Sequence, residues 1–305
     1  MKSRMKWLVP VLALAMLAGA CADNGGGSDA AAGDGQMAAD MAAMEARIVE
    51  LESSMDASGG GVVDGNLLDE IKDRGTLHVG MVLQFPPQMY IDDAGNPAGY
   101  DVDLMNMLAE DLGVTLEISN LEFDAMIPGL IANQFDMVSV GLVGRPARLE
   151  QLWFTCPYVP YRQVVVVNND SGINDISELN SSGVTMTALI GSTAASLTET
   201  RFPNAELVEL DQAPALLEVA SGRADAIVIE EYLALPFVAE NPSTSVLNPN
   251  APFVAEEYGA WALPRGEVVW LNYLNGWLAY YISRGTLDEV YERHIGPTEG
   301  LPACN

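Results

Sequence analysis

An α/β fold built from two similar lobes is what this sequence predicts, and three observations carry that expectation. From residue 67 onward, short apolar runs alternate with amphipathic segments, the pattern of strands joined by helices and paired in parallel. The segments LIANQFDMVSVG (130–141) and LEVASGRADAIVIE (217–230) repeat one motif: helix, short turn, Asp, apolar strand, then polar residues. Past the N-terminus, no stretch reaches the 18 uninterrupted apolar residues expected of a membrane span.

The chain opens MKSRMKWLVPVLALAMLAGAC. A basic stretch (Lys2, Arg4, Lys6), an apolar run from Trp7 to Leu17 and small residues before Cys21 make residues 1–20 a secretory signal. The cysteine after small residues resembles the lipobox of bacterial lipoproteins, so Cys21 is expected to become a lipidated N-terminus. Leu17 lies four residues before it and Ala18 three, a mild departure from the usual spacing, and plain secretion is the alternative. Residues 21–65 are expected to form a tether. Its Gly-, Ala- and Asp-rich part, 22–36, has nothing to bury. Met37, Met41, Met44, Ile48, Leu51 and Met55 then step at heptad spacing. The run covers fewer than three heptads, which leaves a single amphipathic helix and self-association both open.

In the body, strands are expected at 77–83, 115–121, 135–141, 162–169, 183–189 and 224–230. Helices are expected at 101–113 with Asp101 as N-cap and Gly113 past its end, at 124–134, at 192–202 opening on Ser192, and at 214–222. Two more follow in the C-terminal segment, divided at Arg284-Gly285. Ligands of open α/β sheets bind beyond the carboxyl ends of the strands. That rule puts Gly141–Arg148 on one side of a site, Glu230 on the other, and the loop before Ser192 nearby.

Composition excludes several functions. Without residues 1–20 the chain keeps 11 basic and 42 acidic residues, a net charge of −31. Such a surface repels nucleic acid and anionic membranes, and suits a saline milieu where screening weakens self-repulsion. His78 and His294 are the only histidines, and there is no CxxC, phosphate loop, GxSxG or metal-ligand cluster. No cofactor or metal is expected. Beyond Cys21, only Cys156 and Cys304 remain. Export permits a disulfide between them, but spacing alone leaves two unrelated thiols equally open.

Binding features are more abundant. Arg148 follows an apolar strand, and a guanidinium can grip a carboxylate through two parallel hydrogen bonds. A surface ion pair is its plainer explanation. The GST loop at Ser192 and Thr193 offers backbone N–H groups and a helix dipole, or simply an N-cap. Glu230 could hold an ammonium or stand solvated, and Phe85 and Phe123 could be stacking faces or core. Together they describe a site for an α-amino acid: an anion clamp, an ammonium partner and aromatic walls.

At this point the chain resembles the periplasmic amino-acid-binding proteins of ABC importers, extracellular solute-binding protein family 3. The resemblance rests on GTLHVGMVLQFPPQMY (75–90), GYDVDL (99–104), FDAMIPGLIANQFDMV (123–138), RPARLEQLWFTCPY (145–158), GST (191–193), FPNAELVELD (202–211), SGRADAIV (221–228) and RGTLDEVY (284–291). It covers about residues 67–296. It implies a type II periplasmic-binding-protein fold, with two α/β lobes joined by two crossover strands that close on ligand like a hinged clamp. Residues 66–160 with 258–300 would form lobe 1, residues 161–257 lobe 2, and 301–305 a tail. It implies that Arg148 grips the α-carboxylate with help from Thr193 and Ser192, and that Glu230, where an Asp is usual, holds the α-ammonium. Phe85 and Phe123 would pack on the ligand, and Gly141 would offer backbone contacts.

Departures bear on the ligand. Val143 stands where Ser or Thr usually supports the carboxylate, Arg145 replaces a frequent Thr, and Cys156 replaces an Asp. Val82 stands where many members have Asp. With Met81, Val82 and Val143 near the site, an uncharged ligand side chain is expected, while Arg145 could face ligand or solvent. The resemblance implies a binding protein, not an enzyme, with an ABC permease as partner and the membrane reached only through lipid. The alternatives are a cyclohexadienyl dehydratase-like enzyme using Glu230 as proton donor, and a sensor for a separate receptor.

Overall fold

The sheet is built around parallel pairs. The structure is a computed structural model, and residues 65–249, 254–298, 300 and 304 are described. They belong to one unit that starts at Gly65. The signal sequence, Cys21 and the heptad-spaced segment lie outside the described residues.

The first lobe begins with α1 (Leu67–Arg74) and β1 (Thr76–Met81). A small hairpin sheet follows, β2 (Gln84–Phe85), β3 (Met89–Ile91) and β4 (Pro97–Ala98). Next come α2 (Tyr100–Leu112), β5 (Thr115–Asn120), a 3-10 turn at Phe123–Ala125, α3 (Met126–Ile131), β6 (Met137–Val143) and the short α4 (Pro146–Leu149). The 17-residue strand β7 (Leu152–Asn168) leads into the second lobe. That lobe holds β8 (Thr185–Leu189), α5 (Thr193–Arg201), β9 (Glu206–Leu210), α6 (Gln212–Ala220), β10 (Ala226–Glu230), α7 (Glu231–Glu240) and β11 (Thr244–Val246). Strand β12 (Ala255–Pro264) returns the chain to α8 (Val268–Ile282) and α9 (Thr286–His294).

The strand order is β5-β1-β6-β12-β7-β10-β8-β9, with β11 paired to β7. β1 runs parallel to β5 and β6, and β8 parallel to β9 and β10. Between these halves β7 and β12 lie antiparallel, the two crossover strands of a two-lobe α/β fold. β7 pairs with β12 from Leu152 to Gln163 and with β10 from Gln163 to Val167. The expected strand at 162–169 is therefore only the end of a much longer one. Pro157 and Pro160 conceal the rest in the sequence, because a proline cannot donate to a ladder. The register shift opposite Gly259 and Ala260 falls in the same stretch.

Two further expectations are corrected. Asp101 is not an N-cap. The helix starts one residue earlier, after Gly99, whose φ of 114° and close approach to the Gln88 carbonyl admit no side chain. Asp101 sits inside the helix, fully buried, accepting hydrogen bonds from Gln88 Nε2 (2.5 Å) and Ser139 Oγ (2.8 Å). The expected helix at 124–134 is also shorter, since Asn133 turns the chain with φ of 54°.

Aromatic packing fixes the first lobe. Tyr158 and Trp261 lie 5.0 Å apart between ring centres, and Trp261 meets Trp277 at 5.7 Å, all three buried. A disulfide joins Cys156 of β7 to Cys304, with Cα atoms 5.3 Å apart, tying the C-terminal residues to the crossover strand. Among the described residues no helix is long and apolar enough to cross a membrane.

Candidate functional site

Six parallel strand ends converge on one cleft. From the first lobe, β1 leads to Phe85, β5 to Phe123, and β6 to Gly141, Val143 and Arg148. From the second, β8 leads to Ser192 and Thr193, β9 to Gln212, and β10 ends at Glu230. All of them line the same cavity. The eight residues singled out in the sequence are thus brought together. Tyr161, Tyr232, Val140, Leu189, Leu233 and Gln212 join them unforeseen. The strand-end rule would have found Gln212 had β9 been recognised, whereas nothing in the sequence marks the two tyrosines.

Arg148 is 4% exposed. Its guanidinium donates to the Val143 carbonyl (3.0 Å) and, across the cleft, to the Gly191 carbonyl (2.8 Å). It also lies 5.8 Å from the Phe123 ring centre, a cation–π contact. Burial, with Arg145 close by, lowers its pKa to about 10, so it stays charged at neutral pH. Nε is buried without a partner among the described residues. A buried cation with one donor free is equipped to receive an anion.

Each remaining group has a clear local setting. Ser192 uses its hydroxyl oxygen as N-cap of α5, accepting from Ala195 N (3.1 Å), and keeps its O–H as a donor. Thr193 is the first helical residue. Glu230 Oε1 accepts from Gln163 Nε2 (3.1 Å), and burial raises the carboxyl's pKa. A cation beside it would oppose that effect. Gly141 has φ of 60°, and any side chain there would run into the Tyr161 hydroxyl. Its N–H donates to Tyr158 Oη (2.8 Å) and is therefore already used within the protein. Val143 lines the cavity, but Met81 and Val82 are buried in the core.

Arg145 does not line the cavity and is only partly exposed. It reaches across the cleft, donating to Ser196 Oγ and to the Gly191 carbonyl (3.3 Å). A second crossing contact lies near the hinge, where Tyr232 Oη donates to Gln88 Oε1 (2.6 Å). Gln88 also binds Tyr161 and the buried Asp101. Among the described residues no group of His, Cys, Asp and Glu could hold a metal ion.

Fold and cleft together define a two-lobe ligand-binding architecture with its charged groups divided between the lobes. The chain belongs to the bacterial extracellular solute-binding proteins, family 3, whose model matches residues 77–297. A probable histidine-binding protein of Neisseria gonorrhoeae is 26% identical over 232 residues, covering 72% of this chain and 83% of that protein. The cyclohexadienyl dehydratase of Pseudomonas aeruginosa is 25% identical over 231 residues, covering 75% and 85%. Among solved structures, the ancestral amino acid-binding protein AncCDT-1, described as a precursor of cyclohexadienyl dehydratase, superposes with a TM-score of 0.68 at 32% identity. That match covers 76% of this chain and all of the ancestral one.

Proposed function

We propose that this protein captures an amino acid outside the cell and delivers it to the permease of an ABC importer, with no catalytic turnover. The observation that carries the reading is the division of charge across one cleft: Arg148 on one lobe and Glu230 on the other. An α-amino acid presents the opposite pair, carboxylate and ammonium, on one carbon. Arg148, assisted by Thr193 and Ser192 at the start of α5, holds the carboxylate. Glu230 holds the ammonium, and Phe85 and Phe123 pack against the ligand. Because both lobes contribute, ligand favours the closed form over the open one, which is population shift.

The remaining lining supports an uncharged ligand side chain. Val140, Val143, Leu189 and Leu233 are apolar, and Glu230 is the only carboxylate in the wall. In calorimetric titrations an uncharged amino acid should bind more tightly than arginine, lysine or histidine, and the reverse order would refute this. We assign residues 66–160 with 258–300 to lobe 1 and 161–257 to lobe 2. We further assign the N-terminus as a lipid anchor at Cys21. Labelling with a fatty-acid analogue should mark the wild type and spare Cys21→Ser, and equal labelling would refute the anchor.

The raised pKa of Glu230 supports one second reading, general-acid catalysis of the dehydratase type. Incubation of the purified protein with prephenate decides it. No product above background is expected, and turnover abolished by Glu230→Gln would establish the enzyme.

A further inference from the structure

Gln212 is the one polar group lining the cavity that the amino-acid reading leaves without work. It is the first residue of α6, placed by the carboxyl end of β9, and only 6% exposed. Its Nε2 is buried and has no hydrogen-bond partner among the described residues. Several other polar groups lining the cavity have partners within the protein. Ser192 caps its helix, Glu230 accepts from Gln163, and the Tyr232 hydroxyl donates to Gln88. Arg148 and Glu230 are matched by the two charged groups every α-amino acid carries. The amide of Gln212 has no such counterpart. A buried donor without an acceptor is unfavourable, and buried polar groups in folded proteins are nearly always satisfied.

We propose that Gln212 is a specificity-determining residue, and that its amide hydrogen-bonds an uncharged acceptor on the ligand's side chain. The inference rests on the amino-acid reading and sharpens it. The ligand class becomes α-amino acids whose side chain ends in a hydroxyl or a carboxamide. Aliphatic and thioether side chains fill the same space but leave the donor unpaired. A site built around a hydrogen bond discriminates against the analogue that lacks it more strongly than an apolar pocket discriminates by size.

The test is a calorimetric comparison of near-isosteric pairs: threonine with valine, asparagine with leucine, and glutamine with methionine. Wild-type protein should bind the polar member of its best pair roughly ten- to a hundredfold more tightly. Gln212→Met keeps the length of the side chain and removes the amide. It should reduce that gap to less than about threefold, and its melting temperature without ligand should equal or exceed that of the wild type, since no internal hydrogen bond is lost. A wild-type preference for the apolar members would overturn the proposal, as would a gap unchanged in Gln212→Met or a variant clearly less stable than the wild type. In each of those cases amino acids still bind, so the amino-acid reading survives. Failure of every amino acid to bind the wild type would overturn both.

Discussion

The two lobes solve one structural problem alike and then diverge. In each, a helix and a tight turn bring an aspartate to the start of the last strand of its parallel set, and the aspartate fastens the neighbouring strand. Asp136 N donates to the His78 carbonyl (2.9 Å), and its carboxylate accepts from His78 N (2.8 Å). Asp225 does the same to Thr185, at 2.8 Å and 2.8 Å. Beyond the far ends of those strands the likeness stops. The first lobe supplies a buried cation and aromatic walls. The second supplies a helix start, an amide, a carboxylate and the two tyrosines Tyr161 and Tyr232. The shared half of the repeat builds the scaffold, and the divergent half builds the chemistry.

The first way to break the comparison is to remove each lobe's charge. Arg148→Ala should cost about 4 kcal/mol of ligand binding, roughly a thousandfold, because the ligand carboxylate would be left in a dry cleft without its partner. Glu230→Gln keeps the shape and should cost about 2 kcal/mol. Calorimetry checks both, with circular dichroism showing an intact fold. Equal, negligible losses would dismiss the division of labour.

A buried ionisable network distinguishes the first lobe next. Burial raises the Asp101 carboxyl from an ordinary 3.8 to about 6, despite hydrogen bonds from Tyr158, Ser139 and Gln88. Between those values the folded protein binds more protons at this site than the unfolded chain. Its stability contribution is therefore full below about pH 4 and falls as pH rises to 6. The span is worth at most about 3 kcal/mol. Urea titrations of wild type and Asp101→Asn should diverge across that window, and parallel pH profiles would contradict the assignment.

The repeated aspartates sharpen the comparison at smaller scale. Asp136 also pairs with Arg74 at 2.5 Å. Asp136→Ala should lose about 2 kcal/mol of stability and Asp225→Ala about 1 kcal/mol, read from denaturant midpoints. The reverse order would show that the ion pair adds nothing. Equally small is Arg145→Ala, which removes a clasp between lobes outside the cavity lining. Binding of every amino acid should weaken by about 1 kcal/mol with the ranking preserved.

How much the sequence reveals follows the same split. The repeated helix–turn–Asp–strand pattern is legible because packing imposes it twice. Arg148 and Glu230 are legible because they sit where parallel strands end. Asp101 is misjudged because its carboxylate answers to Gln88 and Ser139, 13 and 38 residues away in sequence. Tyr161 and Tyr232 escape because their place is set by stacking at 6.1 Å and by a shared glutamine, contacts that exist only once the lobes are assembled. Arg145 could be noticed in the sequence, but its partners Ser196 and Gly191 belong to the opposite lobe.

The most direct test of the central claim is a calorimetric titration with the tightest-binding amino acid, its α-carboxamide and its N-acetyl derivative. If Arg148 and Glu230 hold the two α-groups from opposite lobes, each derivative should bind at least about a hundredfold more weakly than the parent. Equal affinity for all three would show that the cleft does not recognise an α-amino acid.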